Sequence, residues 1–160
     1  MPPSRARLLL PAVAVVVADQ LTKAWAVGSL TSGRTVHVVW TLRFALGYNS
    51  GMAFSRATGF GPWIGVLATI AVVLMILTLG RSGSALSRAG TSLVIGGAIG
   101  NLADRVFRGD GFMKGSVVDF IDFQWFPVFN VADSAITVGG AIVVLSLVLA
   151  ERASTDGAAS

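Results

Sequence analysis

Residues 60–79 contain no charged side chain. A helix crossing the ~30 Å hydrocarbon core of a bilayer needs about 20 such positions. Pro62 lies near the start of the stretch, where a missing N–H costs a helix nothing. Residues 8–27, 89–106 and 131–149 approach the same pattern. Composition supports a bilayer as solvent. Of the 160 residues 54% are hydrophobic and 12% charged, against about a quarter charged in soluble domains, and mean hydropathy is +0.76. The expected fold class is a mainly α membrane protein, with four transmembrane helices in one domain over residues 1–160.

Several function classes fall away. The chain has no cysteine, which removes disulfides, thiolate metal sites and cysteine nucleophiles together. The net charge of +4 comes from scattered basic residues, with no block for a phosphate backbone to grip, so nucleic acid is not an expected partner. Arg5 and Arg7 before an apolar run resemble the start of a cleaved signal. However, Asp19-Gln20-Leu21-Thr22-Lys23 follows without a clear small-residue cleavage site, so the segment reads as a retained helix.

Four spans put both termini on one side. Arg5, Arg7, Arg81, Arg88 and Arg152 lie at the termini and in the 81–89 loop. The other two connections hold as many basic residues over about twice the length, so their density places the termini inside. The outer connection 28–59 contains a run rich in β-branched and aromatic residues, Thr35 to Phe44, and predicts a small extracytoplasmic β-sheet. The 107–130 connection is aromatic and predicts a segment half-embedded at the interface. Gly96 and Gly100 form a GxxxG pair suited to close helix packing. The tail 151–160 is polar and expected to fray.

The acidic residues are Asp19, Asp104, Asp110, Asp119, Asp122, Asp133, Glu151 and Asp156. Ionisable groups in or beside spans are costly and mark function by default. Asp19 and Lys23 stand i,i+4 and suit a structural ion pair. Asp104 beside Arg105 invites the same interpretation. Asp133 reads equally as a helix-start acid or as a functional group. Asp119 sits among Val117, Val118 and Phe120 without a basic neighbour; such surroundings push a carboxyl pKa up. The single histidine, His37, has no acid nearby and reads as structural. No ligand-spacing motif points to a metal. The chemistry left is a pair of aspartates sharing one proton, one acting as base on water and the other as acid, with no cofactor.

Five strings then form a pattern. They are Asp19-Gln20-Leu21-Thr22-Lys23, Asn49-Ser50-Gly51-Met52-Ala53-Phe54-Ser55, Gly100-Asn101-Leu102-Ala103-Asp104-Arg105, Val117-Val118-Asp119-Phe120 and Phe129-Asn130-Val131-Ala132-Asp133-Ser134. Together, in this order, they closely resemble the motifs of the lipoprotein signal peptidase (signal peptidase II) family, over nearly the whole chain. The resemblance implies an aspartic endopeptidase of the bacterial cytoplasmic membrane. It implies Asp119 and Asp133 as the catalytic pair, and Asn49, Gly51, Asn101, Arg105 and Asn130 as polar positions lining the site and holding substrate backbone. Asp19 and Lys23 would be structural. The implied substrates are prolipoproteins with a diacylglyceryl-modified cysteine, cut just before that cysteine. Membrane lipids and globomycin-type cyclic peptides are the other implied partners, and the outer sheet would form a cradle over the site.

Two rivals remain at this level. Intramembrane acids also mark ion pathways, but a relay needs acids through the depth of the membrane and these cluster near one level. A non-catalytic helper would use the same motifs only for helix packing. Turnover of a lipid-modified substrate separates the enzyme from both.

Overall fold

The computed structural model describes residues 5–50, 61–81 and 83–158. A short turn, α1 (Arg5–Leu8), leads into α2 (Leu10–Ser29). A hairpin of β1 (Thr35–Val39) and β2 (Leu42–Asn49) follows, then α3 (Gly61–Thr78), α4 (Ala85–Phe107), β3 (Val117–Asp122) and α5 (Val131–Ala158). The helices lie within a few residues of the apolar segments read from the sequence, except that α5 runs on to Ala158, into the stretch expected to fray. Ala, Glu and Arg in that stretch are good helix formers. Among the described residues, α2 and α5 (through Thr155) are long and apolar enough to cross a membrane, while α3 is apolar over a shorter length, Pro62–Thr78. Their outward faces carry exposed apolar rows, such as Leu10, Val13, Val17 and Leu21 on α2, which suit lipid rather than water.

α4 is the central helix and packs on α2, α3 and α5. Its glycines permit this. A Cβ on Gly96 would lie 2.7 Å from the Ala12 carbonyl oxygen of α2, and one on Gly90 would lie 2.7 Å from the Gly139 carbonyl oxygen of α5. One apolar core joins Ala12, Val72, Leu79 and Ile95 within the helices. A second joins Ala26 of α2 and Leu30, just after it, to Phe120 of β3.

The sheet is antiparallel in the order β1-β2-β3. The expected sheet forms, with a third strand that the sequence pattern does not show, contributed by the aromatic connection. Trp25 of α2 packs edge-on against Phe44 and Phe120, with ring centroids 5.4 and 6.1 Å away. This contact fixes the sheet over the C-terminal turns of α2. After β3 the chain doubles back. Phe129 N–H donates to the Ile121 carbonyl at 3.1 Å, and Ile121 N–H donates to the Phe129 carbonyl at 2.9 Å. That closure brings the start of α5 beside β3.

Candidate active site

Asp119 lies on β3, opposite Gly47 of β2, while Asn49 lies opposite Val117. Gly47 and Asn49 share one face of β2, so Asn49 is the diagonal neighbour of Asp119, within reach across two strands. Its side chain hydrogen-bonds the Asp119 carboxyl. Asp119 is only 4% exposed. Burial pushes its pKa up to about 6, nearby Asp133 adds to the rise, and hydrogen bonds from Asn130 and Asn49 oppose it.

Asp133 stands in the first turn of α5. Asn130, just before the helix, is wholly buried and joins the two aspartates. Its side-chain Nδ2 donates to Asp119 Oδ1 at 2.6 Å, and its backbone N–H donates to Asp133 Oδ2 at 3.2 Å. Asn101 Nδ2 of α4 donates to Asp133 Oδ1 at 2.7 Å. Two aspartates fourteen residues apart in sequence thus share one asparagine.

Beneath them lies a charged cluster. Lys23 Nζ contacts Asp19 Oδ2 at 2.9 Å, as the i,i+4 spacing implies, but also Asp104 Oδ2 at 2.8 Å. Asp104 pairs in addition with Arg108 at 2.7 Å. The expected Asp104–Arg105 pair does not form. Adjacent helical residues diverge, whereas Arg108 at i+4 lies on the same face. Asp19 has a further role that the sequence did not reveal: its Oδ1 accepts the Ala132 N–H at 2.9 Å, satisfying an open donor at the start of α5. Gly100 leaves room for this carboxylate, since a Cβ there would lie 2.6 Å from Asp19 Oδ2. Gln20 Nε2 donates to the Gly100 carbonyl at 3.1 Å and to Asp104 Oδ1 at 3.3 Å. The sequence reading gave neither Gln20 nor Arg108 a place here.

Arg105 is 9% exposed, in the field of Asp119, Asp104 and Asp133. Its Nη1 has no hydrogen-bond partner among the described residues, so a donor remains available beside the pair. Gly51 lies outside the described residues. His37 is exposed on β1, opposite Arg43. At the sheet's far end Arg43 pairs with Asp122 at 2.7 Å. Although burial opposes ionisation, this ion pair and the Gln124 N–H hold Asp122 below the ordinary carboxylate range. Among the described residues no group of His, Cys, Asp and Glu is arranged to hold a metal ion.

A buried aspartate on β3 beside a half-buried one in the first turn of α5, held against apolar helices, defines the class: a membrane protease of the aspartic type. The comparisons specify it. The family model described as "Signal peptidase (SPase) II" matches residues 11–149. The chain is 46% identical over 151 residues to the lipoprotein signal peptidase of Mycolicibacterium smegmatis, covering 92% of this chain and 63% of that protein. It is 46% identical over 149 residues to that of Mycobacterium avium, covering 91% and 81% respectively. Two solved structures, both titled as a bacterial membrane enzyme determined by the in meso method, superpose with TM-scores of 0.78 and 0.77. Their identities are 29% and 28%, covering 89% of this chain and 88% and 92% of theirs. The chain belongs to the signal peptidase II family, whose members remove signal peptides from prolipoproteins.

Proposed function

We propose that Asp119 and Asp133 form the catalytic pair of a single membrane-embedded endopeptidase domain, which cuts diacylglyceryl-modified prolipoproteins just before the lipidated cysteine. The observation that carries this is the attachment of both carboxylates to Asn130. Asp119 is buried and feels the charge of Asp133, so the two carboxyls do not ionise independently and share one proton. The raised pKa of Asp119 favours it as the holder of that proton. Asp133 then takes a proton from water, whose oxygen attacks the scissile carbonyl, while Asp119 protonates the carbonyl oxygen. The resulting diol collapses: one hydroxyl returns its proton to Asp119, the C–N bond breaks, and the leaving nitrogen takes the proton from Asp133. One proton is left on the pair, as at the start. Arg105 Nη1 and Asn49 are the groups we assign to substrate carbonyls, with Gly51 implied by the motif. No cofactor takes part.

The membrane arrangement is part of the proposal. All four long helices span a bacterial cytoplasmic membrane, both termini are cytoplasmic, and the sheet and carboxylates face outward. Basic-residue density supports this, as do the exposed aromatics Trp40, Phe112, Trp125 and Phe126 at the sheet end, since aromatics favour the interface. A site near that surface suits a lipid-anchored substrate and globomycin-type cyclic peptides. The test is cleavage of a prolipoprotein, with and without its diacylglyceryl group, by the purified chain in detergent, with a chelator arm. We expect cleavage of the lipidated form alone, unaffected by chelator. Equal cleavage of the unlipidated form would overturn the substrate assignment, and inhibition by chelator would overturn the mechanism.

A further inference from the structure

Lys23 has a contact that ion pairing does not explain. Its side chain is wholly buried, and Asp19 and Asp104 already balance its charge. Its third contact is to a neutral group, Asn101 Oδ1, at 3.0 Å. An ammonium has three donors and no acceptor, while an amide has an oxygen that only accepts and a nitrogen that only donates. Lys23 therefore fixes the Asn101 amide with its oxygen toward α2. The NH2 group must face the other way, where it donates to Asp133 Oδ1 at 2.7 Å. Turning the amide over would set NH2 against the ammonium and oxygen against the carboxylate, replacing two good hydrogen bonds by two repulsions.

The constraint extends to the other aspartate. Asn101 Oδ1 also accepts from Asn130 Nδ2 at 3.2 Å, and the same nitrogen donates to Asp119 Oδ1 at 2.6 Å. Asn130 Oδ1 accepts the Asp133 N–H at 2.9 Å, so its amide too has one possible orientation. Both asparagines make internal hydrogen bonds through both ends of their amides.

We propose that Lys23 is a positioning residue for the peptidase reaction: by holding the Asn101 amide one way round, it orients Asp133 through Asn101, and Asp119 through Asn101 and Asn130. Asn101 and Asn130 then carry this constraint rather than hold substrate. The proposal rests on the Asp119–Asp133 reading above, so Asp133→Asn serves as a reference. If that variant turns over normally, the catalytic assignment is wrong, independently of the network.

The experiment measures kcat, KM and thermal midpoint on the full chain in detergent. Asn101→Ala keeps a strong helix former and removes the link. We expect kcat to fall on the order of 10- to 100-fold, as for loss of a charge-assisted hydrogen bond, with KM within about threefold. A substrate-holding Asn101 would instead raise KM, and that result would overturn the proposal. For Lys23, the pair Lys23→Met with Asp19→Asn keeps the buried charge balanced. Its kcat loss should match that of Asn101→Ala and should not add to it when the three changes are combined. Full additivity, or unchanged kcat in a folded Lys23→Met/Asp19→Asn chain, would overturn the role of Lys23. If that chain is not recovered folded, Asn101→Ala decides alone, because Asn101 is the hydrogen-bonded route from Lys23 to the pair. Unchanged kcat there overturns the proposal, and a kcat loss at constant KM sustains it.

Discussion

Asn130 and Asp133 cap one another. The Asp133 N–H donates to Asn130 Oδ1 at 2.9 Å, and the Asn130 N–H donates to Asp133 Oδ2 at 3.2 Å. This is the reciprocal capping box of a helix start, built here with an aspartate proposed for catalysis. Helix formation and site assembly are therefore one event: α5 cannot begin in this register without setting Asp133 beside β3. Asp133 suits both roles that the sequence left open.

The first prediction follows from the shared asparagine. Asn is nearly isosteric with Asp but neither gains nor loses the proton. Asp119→Asn and Asp133→Asn should each lower kcat by at least about a thousandfold, and the double variant should be hardly worse than either single, because the two act as a unit. Single-turnover cleavage assays check this. Turnover like wild type in either single variant would remove that residue from the pair.

The second concerns stability against pH. Asp119 is pushed up to about 6, against an ordinary 3.8, so the folded chain binds this proton more tightly than the unfolded chain. Its stabilising contribution is fully present below the ordinary value, and it is lost as pH rises through that window. Above about pH 6 the folded chain bears a cost on the order of 3 kcal/mol. Asp119→Asn cannot ionise and escapes it. The variant should melt at a higher temperature than wild type at pH 7, with the difference shrinking toward pH 4. A variant less stable than wild type at pH 7 would show that the structure favours the charged form.

The positions of the four long helices were legible in the sequence because long apolar stretches with few charges mark them. The residues around the carboxylates were only partly legible. The elimination of cysteine, histidine and metal chemistry led to a pair of aspartates, and the five strings led to Asp119 and Asp133. The partner of Lys23 on α4, Asp104, is 81 positions away, and no local pattern reveals such a pairing. β3 was missed because Val117-Val118-Asp119-Phe120 does not alternate: it is buried on both faces, and its polar residue faces a site. The glycines of α4 read from sequence alone as packing devices. That holds for Gly96, but at Gly100 the neighbour is a carboxylate.

The third prediction tests those glycines. A Cβ at Gly97 would overlap the Ala132 carbonyl oxygen at the start of α5, and one at Gly100 would press on Asp19. Neither neighbour is a free side-chain end. Gly97→Ala and Gly100→Ala should each destabilise the folded chain by about 1–3 kcal/mol and reduce activity, since both disturb the Asp19–Ala132 contact. Gly140 has open space around its Cβ position, so Gly140→Ala should be neutral or stabilising by up to about 1 kcal/mol. Thermal midpoints in detergent report all three. Equal effects at Gly97 and Gly140 would contradict the close α4–α5 approach.

The fourth prediction concerns orientation. The chain has no cysteine, so single engineered cysteines report without background. Trp40 is 92% exposed at the tip of the β1–β2 hairpin, and Ser154 is exposed near the end of α5. With both termini cytoplasmic, Trp40→Cys should react with a membrane-impermeant thiol reagent in intact cells, and Ser154→Cys only after the membrane is opened. Four spans require opposite answers from these two sites, because the hairpin follows one span and Ser154 follows the fourth. If both react in intact cells, or neither does, the count of spans is wrong. Reversed labelling would keep the count but turn the carboxylates toward the cytoplasm. A lipid-modified substrate presented at the outer surface would then have no route to Asp119 and Asp133.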